Sequence, residues 1–181
     1  MITVTDSFLP FPEASFVQEQ LLSPAWPWFF QDSVDYAEES GEPTKSQFCY
    51  QLYRNHSWQG AGETVVSRFL RHIKPLTLVR VKANLQVRTE TRQQNSFHID
   101  LVDPDLKPYP HLLTAIYYVN TNNGVTVFED GTEVQSVANR MVVFPSSVKH
   151  TGTTCTDAKR RVLINFNYLP ERFTARSQSL E

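Results

Sequence analysis

At 181 residues, with 40% hydrophobic and 20% charged residues, the chain has the make-up of a globular protein with a substantial core rather than a disordered segment. Its net charge of -2 offers no global attraction to nucleic acid or anionic membrane, and no segment reaches transmembrane length, so neither is an expected partner. Cys49 and Cys155 are too few for a disulfide framework and lack the paired spacing of a zinc site; with an N-terminus that lacks a basic-then-apolar leader pattern, they read as reduced thiols of a cytoplasmic protein.

In chain order, Pro12 to Leu22 reads as a short helix, with Ala14, Val17 and Leu21 along one face and Pro24 just past its end. From residue 24 to 45 the texture is a long loop, first aromatic (Trp26, Trp28, Phe29, Phe30) and then acidic (Asp32, Asp35, Glu38, Glu39, Glu42). Loops of this length serve as lids or as packed wall, and the tryptophans fit the wall better. Phe48, Tyr50 and Leu52 alternate with Cys49, Gln51 and Tyr53 as in a strand, and Val65, Val66, Phe69, Leu70 and Ile73 recur at helical spacing until Lys74-Pro75 ends the pattern.

Beyond Pro75 strands dominate. Val79, Val81, Ala83, Leu85 and Val87 alternate with Arg80, Lys82, Asn84, Gln86 and Arg88, and that polar face suits either solvent or a wet barrel interior. The polar stretch from Thr89 to Ser96 reads as a mobile loop that could close over a site, and the prolines between Val102 and Pro110 exclude a central strand. Leu112 to Asn120, Val125 to Phe128, Thr132 to Val137, Met141 to Phe144 and Arg161 to Tyr168 follow as short strands separated by turn signals such as Asn122-Asn123-Gly124 and Asp130-Gly131. The expected fold class is mainly β, a sandwich or barrel core supported by two outer helices, and the residues after Pro170 are expected to fray.

One stretch carries chemistry. In an extended Phe97-His98-Ile99-Asp100-Leu101, residues two apart point to one side, which puts His98 and Asp100 together. A second imidazole from His150 would complete two histidines and one carboxylate, the set that suits Fe(II) with open coordination positions. A bare His-x-Asp is a weak signal alone, so the surrounding sequence has to support it.

It does so through a resemblance. His98-Ile99-Asp100, Leu113-Thr-Ala-Ile-Tyr-Tyr-Val-Asn120, Gly124-Val-Thr-Val-Phe128, Val143-Phe-Pro-Ser-Ser-Val-Lys-His150 and the strand opening at Arg161 are similar, in order and spacing, to the 2-oxoglutarate and Fe(II)-dependent oxygenases of the prolyl-hydroxylase-like kind. The resemblance implies a double-stranded β-helix, or jelly-roll, over residues 76–168, with residues 1–75 as N-terminal helical support and an early strand, the whole 1–181 forming one domain. It implies His98, Asp100 and His150 as ligands of Fe(II), Arg161 and Tyr118 holding the far carboxylate of 2-oxoglutarate with Thr114 beside them, and O2 as the oxidant. Asn84 and Arg88 are further candidates for lining the pocket. The chemistry is coherent without the family, because a buried dicarboxylate needs a fixed cation and guanidinium offers it a bidentate match.

The implied reaction couples oxidative decarboxylation of 2-oxoglutarate to hydroxylation of an unactivated C–H bond, because a carboxylate at Asp100 fills the position that related halogenases leave for halide. The substrate stays open between a peptidyl proline and a free amino acid or other small molecule, and so does the oligomeric state. A cupin-like metal-binding jelly-roll or a zinc hydrolase could use the same triad but would leave Arg161 and Tyr118 without a role. A non-catalytic module is disfavoured because no ligand is replaced, and the nucleic-acid demethylase branch because Val-Leu-Ile-Asn-Phe-Asn follows Arg161 where that branch usually adds a second arginine.

Overall fold

The computed structural model describes residues 1–32 and 46–171; the acidic run of the 24–45 loop after Asp32 and the tail beyond Glu171 lie outside the described residues. In chain order the elements are β1 (Thr3–Thr5), α1 (Phe11–Leu22), β2 (Phe29–Gln31), β3 (Gln47–Arg54), β4 (Ser57–Trp58), α2 (Gly62–Ile73), β5 (Pro75–Val87), β6 (Leu113–Tyr118), β7 (Val125–Phe128), β8 (Glu133–Gln135), β9 (Arg140–Pro145), β10 (His150–Gly152) and β11 (Arg160–Pro170). A large antiparallel sheet runs β1-β9-β6-β11-β5-β3-β2, with β4 paired to β3, and a small one runs β10-β7-β8. The two face each other as the halves of a double-stranded β-helix.

Period-two alternation sorts the side chains of the large sheet between two cores. On one face Val81, Ala83, Ala115, Tyr117, Val162, Ile164 and Phe166 pack with Val17 and Leu21 of α1 and Val65, Val66, Phe69 and Ile73 of α2. This layer draws on residues from both sides of Pro75. On the other face Ile116, Tyr118, Val142 and Phe144 meet Phe128 and Val134 of the small sheet. Phe69 is wholly buried, with its ring 4.8 Å from Tyr117 and 4.9 Å from Phe166. Truncating a buried aromatic ring leaves a cavity as well as lost contacts, so Phe69→Ala should cost about 3–5 kcal/mol in urea unfolding. A cost below about 1 kcal/mol would mean that α2 contributes little to the core.

The helices and longer strands match the expected positions. Lys74 ends α2 in the left-handed conformation at φ 43°, its N–H donating to the Leu70 carbonyl, so β5 begins at Pro75 rather than near Val79. Proline is tolerated there because it opens the strand. Four short strands went unread: β1, β2, β4 and β10 have three residues or fewer, too few to show a period. β2 lies inside the stretch read as continuous loop. Trp26 is 7% exposed and packs edge-on against Tyr50 at 5.3 Å, which makes it wall. The loop read as mobile between Thr89 and Ser96 is stitched to the chain after β10: Thr89 N–H donates to the Cys155 carbonyl, Thr154 N–H to that of Gln93 and Asn95 N–H to that of Gly152.

Candidate active site

The interior face of the large sheet is laid out in rungs. On β5 and β11, Gln86 lies beside Arg161, Asn84 beside Leu163, Lys82 beside Asn165 and Arg80 beside Asn167; β6 continues these rungs with Tyr118, Ile116 and Thr114. The polar face of β5 therefore points inward, and Arg80, Lys82, Asn84 and Gln86 line a cavity of about 510 Å³, of a size usual for small-molecule sites. Arg88 lies beyond the end of β5 and is not part of that lining.

His98, Asp100 and His150 meet at this cavity, one ligand atom of each lying within 4.8 Å of the others. The segment holding the first two is not a regular strand. Instead His98 and His150 exchange backbone hydrogen bonds of 3.0 and 3.1 Å as an isolated antiparallel bridge, which fixes their side chains as neighbours. Each Nδ1 lies against a backbone carbonyl, that of Ser96 at 3.2 Å and that of Val148 at 3.3 Å, so each Nε2 faces Asp100, at 3.9 Å in both cases. With the outer nitrogen of each ring committed to a carbonyl, the inner one is an unprotonated donor, and two such donors with a carboxylate suit a divalent metal.

Asp100 is buried at 6% exposure and heavily hydrogen-bonded. Asn165 Nδ2 reaches both its oxygens at 3.0 Å, Asn167 Nδ2 and the Thr114 hydroxyl donate to Oδ2, and an Arg80 guanidinium nitrogen lies 3.2 Å from Oδ1. Burial alone would raise its pKa; the charges of His150, Arg80 and His98 and the Asn165 hydrogen bond outweigh burial and hold the carboxyl well below the usual range. Burial presses the His150 pKa down against the pull of Asp100, which favours the neutral ring a metal needs. Because the folded carboxyl has the lower pKa, its contribution to stability is complete above the unfolded value near 3.8 and is lost as pH falls below it. In chelator, Asp100→Asn should therefore unfold with a shallower pH dependence below about pH 4 than the parent chain; an unchanged acid limb would show that other carboxylates dominate it.

Arg161 lies at the other end of the cavity, on the rung of Gln86, and is 3% exposed. Its guanidinium donates to the Ser136 hydroxyl at 2.8 Å, the Thr126 hydroxyl at 3.2 Å and the Gln86 side-chain oxygen at 3.5 Å, all neutral acceptors. Glycines make the space. A Cβ on Gly124 would stand 2.7 Å from Arg161 Cδ, and one on Gly152 3.0 Å from Nη1. A buried cation with neutral neighbours and an open cavity in front of it has the chemistry to receive a carboxylate.

Of the other candidate residues, Asn84, picked from the polar face of β5, lines the cavity and its Oδ1 is buried without a hydrogen-bond partner. Tyr118 and Thr114 sit one layer back, outside the lining. The Tyr118 hydroxyl, kept protonated by burial, donates to Thr126 at 2.7 Å, and Thr114 serves Asp100. Arg80, Asn165, Asn167, Thr126, Ser136 and Gln86 were not singled out from the sequence as site residues. The signal for four of them was present: Arg80 and Gln86 are on the polar face of β5, and Asn165 and Asn167 continue the face of Arg161.

A family model described as the 2OG-Fe(II) oxygenase superfamily matches residues 83–169, from the inward face of β5 through the metal triad to the arginine strand. Over these residues, just under half of the chain, the sequence is similar to the 2OG-Fe(II) oxygenase superfamily, and together with the His-Asp-His cluster this supports a dioxygenase enzyme. A search of curated protein sequences gives no match. Among solved structures, it is similar to a viral collagen prolyl hydroxylase from Paramecium Bursaria Chlorella virus-1 in a 2OG complex (12% identity, 93% of this chain and 95% of that one, TM-score 0.56). A prolyl hydroxylase from Trichoplax adhaerens, in complex with a hypoxia inducible factor oxygen degradation domain peptide fragment, matches at 15% identity over 94% and 84% of the two chains (TM-score 0.60). HygX from Streptomyces hygroscopicus, with nickel and 2-oxoglutarate bound, matches at 15% identity over 96% and 84% (TM-score 0.55). At these identities the likeness speaks for the fold. Among the described residues no helix is long and apolar enough to cross a membrane.

Proposed function

We propose that the chain hydroxylates an unactivated C–H bond, with His98, Asp100 and His150 as the ligands of Fe(II) and Arg161 as the receptor for the far carboxylate of 2-oxoglutarate. The observation that carries this reading is the buried guanidinium, partnered by neutral groups, in the same cavity as two histidines and a carboxylate within 4.8 Å of one another. A zinc hydrolase or a cupin-like binding protein would give Arg161 nothing to hold. When bound, iron and 2-oxoglutarate supply the oxidising power for the overall change R–H + 2-oxoglutarate + O2 → R–OH + succinate + CO2.

The chain's own residues bind and orient. Asn165, Asn167, Thr114 and Arg80 keep Asp100 ionised and fix its plane, and the carbonyls of Ser96 and Val148 hold the imidazoles in one tautomer. Thr126 accepts from both Tyr118 and Arg161, which frees its own proton to donate into the cavity. Tyr118 acts on the carboxylate through Thr126. Thr126→Val should accordingly weaken 2-oxoglutarate binding about tenfold, the usual cost of a hydrogen bond to a charged group, and Tyr118→Phe by less. Calorimetric titration of both variants checks the order, and a reversed order would put the phenol itself on the carboxylate.

The helical layer and the β-helix share one core, which supports a single domain over residues 1–181, and the buried free thiols of Cys49 and Cys155 support a cytoplasmic location. The test of function is mass spectrometry of host-cell lysate treated with enzyme, iron and 2-oxoglutarate: products heavier by one oxygen, in step with succinate, are expected. Failure to release succinate from 2-oxoglutarate under any condition would refute the reading.

A further inference from the structure

The charges that line the cavity do not balance. Among the described lining residues, Arg54, Arg80, Lys82 and Arg161 are cationic and Asp100 is the only carboxylate. Arg80 is paired with Asp100, and Arg161 is the receptor for the co-substrate. Lys82 is left over. It lies mid-strand on β5, opposite Asn165 on one side and Gln51 on the other, one strand away from the residue that holds Asp100 in place.

Among the described residues its ammonium has no hydrogen bond or ion pair, and the groups around it are unpartnered as well: Gln51 Oε1 and Asn84 Oδ1 are buried without a hydrogen bond. Burial, and then the nearby Arg80, push the Lys82 pKa down against the weaker pull of Asp100, which is already paired with Arg80, and its neighbour Cys49 offers no counter-charge because burial keeps that thiol protonated. An unpaired cation held half-buried beside unpartnered amides is costly in the free protein, and an anion entering the cavity removes that cost. Among the described lining residues there is no second carboxylate for an ammonium group to meet.

We propose that the oxidised substrate is a small carboxylic acid without a free amino group, its carboxylate on the Lys82 ammonium and its body extending over Asn165 toward the metal triad. This names the substrate class of the oxygenase reading above and rests on it. Lys82 is then a specificity residue: a peptide presents a neutral amide where this side chain asks for charge, and a free amino acid brings an ammonium group into a cationic wall.

The experiment is calorimetric binding to enzyme loaded with Zn(II) and saturating 2-oxoglutarate, which occupies Arg161 and prevents turnover. The probes are matched pairs, N-acetyl-L-amino acids against their C-terminal amides, with the free amino acids as a third arm. The expected result is that acids bind at least tenfold more tightly than their amides, that the free amino acids bind more weakly than the acetylated ones, and that Lys82→Gln removes the preference while Lys82→Arg keeps it. Amides binding as well as acids, free amino acids binding best, no acid binding in any pair, displacement of 2-oxoglutarate by the acids, or a preference that survives in Lys82→Gln would each overturn the proposal. The comparison within the parent chain does not depend on how the variant folds. Succinate release by the iron-loaded enzyme without any probe reports on the oxygenase reading separately: with that release present and no acid preference, only the Lys82 assignment fails.

Discussion

His98→Ala, Asp100→Ala and His150→Ala are each expected to lower affinity for a divalent metal by orders of magnitude and to abolish succinate release. With three protein ligands, each loss removes a third of the set and nothing in the described structure replaces it. The three variants should nonetheless differ in stability. His98 is partly open to the cavity, and its backbone bridge to His150 does not need the imidazole, so His98→Ala should fold normally. Asp100→Ala strands a half-buried arginine and two asparagine amides that all donate to one buried carboxylate, and breaking a buried ion pair from one side costs up to about 3–5 kcal/mol. Asp100→Asn is the cleaner variant, since it keeps the shape and removes the charge. Titrating the apo-proteins with Co(II) and following its visible absorbance checks metal binding apart from turnover, and thermal melts check the fold. A variant that folds and binds metal like the parent would remove that residue from the site.

How much of this could be read in the sequence depends on how many residues each feature needs to declare itself. α1, α2, β3, β5 and β11 are long enough for a period of 3.6 or 2 to emerge, and their buried faces are the ones the periodicity marks. β10 is three residues long and owes its existence to pairing with β7, which no local pattern encodes. For the metal ligands the residue types were legible and the geometry was not. His98 and Asp100 do come together as strand alternation implied, at 3.9 Å, but without a regular strand: a single bridge to His150 aligns the histidines with each other and the asparagines of β11 hold the aspartate. On β5 the pattern alone could not choose between solvent and interior for Arg80 and Lys82. The choice is made by β3 and β11, which pair on either side of β5 and enclose its polar face against the cavity. Thr126 and Ser136 escaped notice because a hydroxyl carries no signal until a guanidinium is placed beside it.

Arg161→Ala should raise the 2-oxoglutarate concentration for half-maximal turnover by orders of magnitude, while Arg160→Ala should change it little, although the two are adjacent and alike in charge. Strand register separates them. Val162, Ile164 and Phe166 belong to the helix-side core, so Arg161, Leu163 and Asn165 face the cavity, and Arg161 is level with Gln86 where the guanidinium meets Thr126 and Ser136. Arg160 points the other way. It donates to the carbonyl of Leu22, the last residue of α1, where an unsatisfied helix carbonyl and the negative end of the helix dipole welcome a cation. Arg160→Ala should therefore show a modest loss of stability, on the order of 1 kcal/mol, with the co-substrate dependence intact. Arg161→Ala deletes the buried charge itself, and the carboxylate that enters would find only hydroxyls and an amide, a loss larger than one neutral hydrogen bond. Arg161→Lys should recover only part of the affinity, because an ammonium cannot keep the Ser136, Thr126 and Gln86 contacts and also present two parallel donors. Succinate release measured against 2-oxoglutarate for the three variants decides the matter: equal shifts in Arg160→Ala and Arg161→Ala would mean that the effect is general loss of β11, and full recovery in Arg161→Lys would mean that the carboxylate senses charge without geometry.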